Sequence, residues 1–147
     1  MKLLDSRETV LLITGTSERA EATDRPLAQK LQQEIDARGE GHTYRRAVVL
    51  GDEEYLERPA LHVHPTIAIG GPGANAVSQH FVGEVPTVWE EEDRLVVQVE
   101  VEDDRQRAAL WGMDAAATAE AVDAFVSRGF LELLLDRIWR LRSEVIN

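Results

Sequence analysis

The chain of 147 residues contains no cysteine, which excludes disulfides, thiol nucleophiles and thiolate metal sites together. Lysine is nearly absent too: Lys2 and Lys30 stand alone, and the other basic residues are arginines. Aromatic residues make up 5 % of the chain. No apolar run approaches the roughly 20 residues that span a bilayer. At the start, Met1 to Glu8, charge breaks the apolar pattern too early for a secretory signal. These absences predict a soluble, cytoplasmic protein with no membrane partner.

Acidic residues outnumber basic ones 27 to 16, for a formal net charge of −11. A nucleic-acid backbone would be repelled unless a basic face were segregated. Most arginines are scattered or interleaved with carboxylates, as in Asp103-Asp104-Arg105-Gln106-Arg107. Arg137, Arg140 and Arg142 form one basic cluster, which reads as a solvated helix end complementing the macrodipole. The expectation is no nucleic-acid partner. The length is that of about one domain, able to bury roughly two-thirds of its unfolded surface.

Apolar patterning predicts alternating strands and helices. Thr9 to Ile13 is a continuous apolar run, the pattern of a strand buried on both faces, and it ends in the polar loop Thr14-Gly15-Thr16-Ser17. Asp24 then reads as an N-cap with Pro26 in the first turn, and Leu27, Ala28, Leu31 and Ile35 keep helical spacing up to Gly39. A second strand covers Arg46 to Leu50, after which Asp52 is placed to cap a short helical turn. A third covers Thr66 to Gly70, followed by a short helix from Ala74 to Phe81. Leu95, Val97, Val99 and Val101 alternate with Val96, Gln98, Glu100 and Glu102. That period of two predicts a half-exposed hairpin strand whose acidic turn, Glu90 to Asp93, discourages edge-to-edge pairing. Ala108 to Gly112 reads as one more buried strand. Asp114 caps an alanine-rich helix that Gly129 interrupts, and a last helix begins at Phe130.

In that last helix Leu131 and Leu135 widen the apolar face made by Phe130, Leu134, Ile138 and Leu141. The width is explained by core packing alone, or by a helix that also buries surface against a second copy as a homodimer. The predicted architecture is a single three-layer α/β/α domain over residues 1–147, flavodoxin- or Rossmann-like, with a mainly parallel sheet and an antiparallel edge hairpin. Parallel strands put the Thr14–Ser17 loop and the glycine turn after the third strand at the same carboxyl edge. If those strands are neighbours, the two loops flank one crevice.

That glycine turn, Gly70-Gly71-Pro72-Gly73-Ala74-Asn75, carries the strongest chemical signal. Gly71 to Ala76 satisfies G-x-G-x-x-A between a strand and a helix, where glycines let a backbone approach a phosphate and the helix start offers free N–H groups. Glu90 or Glu91 falls near the position expected for a ribose-binding carboxylate. Against a dinucleotide site stand the short helix, the N–H lost at Pro72 and the lack of chain for the remaining strands. The Thr14-Gly15-Thr16-Ser17 loop resembles the phosphate loop of flavodoxin-like proteins, with Trp89 as one possible ring stacker, but Glu18 and Glu21 oppose a phosphate. A P-loop is excluded because no G-K-[ST] follows. His62-Val63-His64 has a spacing that can bind metal, without a third ligand at suitable spacing. Ser78 and His80 point to different helix faces, and no G-x-S-x-G elbow occurs.

Ile67 to Asn75, together with Ala108 to Thr118, resembles the α/β module of archaeal surface-layer proteins. That module has a strand ending in a G-G-P-x-x-N turn and a later strand leading into an acid-capped D-A-x-x-T helix. The resemblance covers about the last two-thirds of the chain and implies a structural or recognition role without catalysis. The expected activity is therefore non-catalytic binding of a small anion or a protein partner. Its candidate site residues are Thr14, Gly15, Thr16, Ser17, Gly71, Gly73, Ala74 and Asn75. The alternative is a small enzyme holding a flavin or nicotinamide nucleotide in the same crevice; no cofactor is firmly implied, and no metal is expected.

Overall fold

The computed structural model describes residues 5–102 and 104–139; Asp103, Arg140, Leu141 and Arg142 lie outside them. Six strands form one sheet in the order β2-β1-β3-β6-β5-β4. They are β1 Val10–Thr14, β2 Ala47–Gly51, β3 Thr66–Ile69, β4 Thr87–Glu91, β5 Leu95–Val101 and β6 Gln106–Gly112. Strands β2, β1, β3 and β6 run parallel, and β4 and β5 complete the sheet as an antiparallel edge.

Apolar runs become central strands because both faces need cover. Val10 and Leu12 of β1 join one apolar cluster, and Leu11 and Ile13 join another. On the first face lie α2 Arg25–Arg38, α5 Ala115–Ser127 and α6 Phe130–Ile138, which contribute Leu31, Phe125 and Leu134. On the second lie α3 Asp52–Glu57 and α4 Ala76–Phe81, which contribute Tyr55, Val77 and Phe81. Among the described residues no helix is long and apolar enough to cross a membrane.

Several local expectations are revised. Residues Glu18–Thr23 form a helix, α1, rather than loop; Ser17 caps it by accepting from the Ala20 amide at 3.2 Å. Asp24 occupies the N-cap position of α2 but makes no side-chain capping bond. Asp52 does not cap its own helix either: its carboxylate accepts from Thr16 Oγ1 at 3.0 Å and from the Ala76 amide at 2.8 Å, joining the β1 loop to α4. Helix α4 starts two positions later than expected, because the Ala74 and Asn75 amides both donate to the Gly71 carbonyl and close a separate turn.

The period-two reading of β5 also fails at Gln98, which is 2 % exposed. Its amide donates to the Val85 and Val82 carbonyls and accepts from Trp111 Nε1, so a polar residue is buried with its hydrogen bonds made. His62 and His64 do not share an extended segment, since Pro59–Val63 is a 3-10 turn. Of the last helix, Leu131, Leu134 and Leu135 are all buried in the chain's own core, and Leu133 is 48 % exposed.

The junction at the carboxyl edge is held by Asn75, which is 1 % exposed. Its Nδ2 donates to the Ile13 carbonyl at 2.9 Å and the Ile69 carbonyl at 3.0 Å, at the ends of β1 and β3. Its Oδ1 accepts from the Val77 and Ser78 amides, capping α4. Asn75→Ala should therefore cost about 3 kcal/mol, from a lost cap and two stranded carbonyls, and lower Tm by roughly 10 °C. Asn75→Asp keeps the cap but turns an oxygen toward two carbonyl oxygens. Calorimetry should find it at least as damaging as the alanine variant, whereas a residue serving only as a cap would tolerate aspartate.

Candidate functional site

The chain leaves β1 toward β2 on one side and returns to β3 on the other, which places a topological switch point between β1 and β3. At such points the loops leaving neighbouring parallel strands diverge and open a crevice beyond their carboxyl ends. Here the loops after β1, β3 and β6 enclose a cleft of about 460 Å³. Its walls are Ser17, Arg19 and Asp24 on one side, Gly71 to Ala74 on the second, and Trp111 to Ala115 on the third.

Each wall has a local cause. The β1 loop can lie against the glycine turn because residue 15 has no side chain; a Cβ there would collide with the Ala74 carbonyl oxygen. Gly70 adopts φ +109°, which reverses the chain at the end of β3. Its amide donates to the Leu110 carbonyl of β6, and its carbonyl accepts from Ser78 Oγ at 2.6 Å. The third wall is held by Thr118, whose hydroxyl accepts from the Gly112 amide, and by Asp114, which caps α5 through the Ala117 amide at 2.8 Å.

The structure brings five of the eight candidate residues to this region in different ways, buries two others, and leaves Thr16 exposed but off the cleft wall. Ser17, Gly71, Gly73 and Ala74 line the cleft, and Gly15 packs against its Ala74 wall. Asn75 is buried with both ends of its amide engaged. Thr16 is turned to Asp52. Thr14 is 0 % exposed, and its hydroxyl has no hydrogen-bond partner among the described residues. Trp89 lies on β4, separated from β1 by three strands, or roughly 19 Å at ordinary strand spacing. Arg128 covers its ring at 3.4 Å, so it is placed for that cation–π contact and not for stacking at the cleft. Trp111 is the aromatic residue on the cleft wall.

Outside the cleft, the paired histidines are engaged internally. His62 Nε2 bonds the Tyr55 carbonyl oxygen at 2.8 Å and its ring stacks on Tyr55, while His64 Nδ1 bonds the Thr9 carbonyl oxygen at 3.0 Å. Among the described residues no three His, Cys, Asp or Glu side chains gather where they could hold a metal ion.

Asp24, Arg19, Trp111 and Met113 also line the cleft and were not among the candidate site residues. Asp24 is the most unusual. It is 5 % exposed, its Oδ1 accepts from the Thr23 hydroxyl at 3.3 Å, and a Cβ on Gly70 would stand 2.6 Å from its Oδ2. Burial pushes its carboxyl above the usual carboxylate range, against the opposing pull of the Thr23 hydroxyl and of Arg19. A carboxyl that holds its proton more tightly when folded loses stability as pH rises from its unfolded value near 3.8 through the raised folded value. At neutral pH the ionised form is a cost. Asp24→Asn should therefore melt a few degrees above the parent at pH 7, with the gap closing below the unfolded value; a lower melting temperature at pH 7 would contradict the assignment.

No protein-family model matches the chain and no curated protein matches it, so the geometry of the cleft is what bears on its function.

Proposed function

We propose that this chain is a non-catalytic binding domain of the three-layer, flavodoxin- or Rossmann-like kind, and that it takes a small ligand or a partner's side chain in the cleft at the switch point. The observation that carries the proposal is the convergence of three strand-end loops on one cleft of about 460 Å³, within the range of small-molecule sites. Arg19 supplies positive charge at the lip. The Gly71 and Gly73 amides donate to no other group among the described residues, and Ala115 begins α5, where first-turn amides lack helical acceptors. These donors suit a carboxylate or another small anionic group. The resemblance to the surface-layer module agrees with a recognition role.

A nucleotide-cofactor enzyme is the second reading, and Trp111 on the cleft wall is what favours it. A flavin would announce itself by visible absorbance of the purified protein or after reconstitution. Association of two copies through α6 would use Leu133, since its neighbours Leu131, Leu134 and Leu135 are taken up internally.

A thermal-shift screen against small carboxylates, other anions, nucleotides and flavins tests the main reading. A ligand at 100 times its Kd adds roughly 2.7 kcal/mol, several degrees for a chain of this size. Gly73→Val should abolish the shift without unfolding the protein, because a Cβ at Gly73 meets nothing within 4 Å. A shift that survives in Gly73→Val would move the site elsewhere. For the dimer, light scattering should show Leu133→Glu at half the parent's mass; equal masses would exclude α6 as the contact.

A further inference from the structure

Asp24 is an acid in a place that offers it little. It stands where an aspartate would normally cap a helix, yet its side chain makes no capping bond to α2. It is 95 % removed from solvent by its 5 % exposure, and still lines the cleft. The Thr23 hydroxyl reaches Oδ1, whereas Oδ2 accepts no hydrogen bond from a described group. Arg19 acts on it through charge alone; no ion pair within 4.0 Å joins them. An ionised carboxylate so placed is costly unless a cation meets it, and asparagine would fill the same space more cheaply. Oδ2 is not among the fully buried unpartnered atoms, so it faces the cleft, where a positively charged donor can reach it.

The anion-binding groups lie beside this carboxylate: Arg19 acts on it by charge, and a Cβ on Gly70, next to Gly71, would stand 2.6 Å from its Oδ2. The cleft is also lined by the apolar side chains of Pro72, Trp111, Met113 and Ala115, with Met113 71 % exposed. We propose that the ligand is a free α-amino acid with an apolar side chain, its ammonium donating to Asp24 Oδ2, its carboxylate at Arg19 and the Gly71–Gly73 amides, and its side chain against Trp111 and Met113. The carboxylate half of this assignment rests on the binding function proposed above; the ammonium half rests on Asp24.

Isothermal titration calorimetry with four compounds separates the halves: L-phenylalanine, N-acetyl-L-phenylalanine, 3-phenylpropionate and L-phenylalanine amide. The parent protein should bind L-phenylalanine, and the two compounds lacking the ammonium should bind at least about tenfold more weakly, as when one partner of a desolvated charge pair is lost. Asp24→Asn should weaken L-phenylalanine by a similar factor while 3-phenylpropionate binds the variant at least as tightly as the parent. The ligand-side comparison needs no variant and stands independently of Asp24→Asn. Equal binding of phenylalanine and 3-phenylpropionate would overturn the amino-acid assignment and leave a plain anion site. Amide bound as tightly as free acid, with no effect of Gly73→Val, would instead remove the anion-binding lip and keep Asp24 as an amine acceptor. Absence of heat with L-phenylalanine, and with L-leucine at millimolar concentration, would overturn the assignment outright.

Discussion

One side-chain amide holds the carboxyl edge of the sheet together. Asn75 donates to the Ile13 and Ile69 carbonyls near the ends of β1 and β3 and accepts from the Val77 and Ser78 amides of α4. Ile13 is the last residue of β1 that pairs with β3, and beyond it the two strands' loops part. A glycine or serine in place of Asn75 would leave both carbonyls bare. Only an amide of this length supplies two donors and an acceptor at one buried point. Asp52 performs a related service one layer outward, binding the Thr16 hydroxyl and the Ala76 amide. Together they tie the loops after β1 and β3 to the start of α4, and the chemistry of the cleft is left to Arg19, Asp24 and the β6 loop.

Much of this architecture was legible in the chain. Val10 to Ile13 and Thr66 to Ile69 lack alternation because both faces are covered, and that pattern announced central parallel strands. Asp114 and Gly129 marked helix boundaries because capping is a local affair. The neighbouring placement of β1 and β3, and with it the shared crevice, followed from strand order and could be stated only conditionally until the pairing was known.

What stayed hidden depended on contacts distant in sequence. Asp24 next to Arg25 and Pro26 has the local look of a helix cap, and nothing nearby says that its carboxylate is turned away. Helix α1 has a single buried residue, Ala20, too few to make a periodic signal. Gln98 fell on the polar side of an alternating strand and is nevertheless interior, because Val82, Val85 and Trp111 close over it. Asn75 was visible as a helix-start residue, but its donation to Ile13 spans most of the first half of the chain.

The placement of β4 and β5 has a kinetic side. They are inserted between β3 and β6 in the sequence, yet stand outside both in the sheet. Pairing β5 with β6 closes a short loop, whereas pairing β3 with β6 must span α4 and both hairpin strands. Loop-closure entropy favours the local pairings first, and a formed β4-β5-β6 meander shortens the effective tether to β3. The cheapest route therefore builds the antiparallel edge as a unit and docks it onto the parallel half. The cleft straddles that seam, so its walls come together only at the docking step, when the two halves of the chain meet.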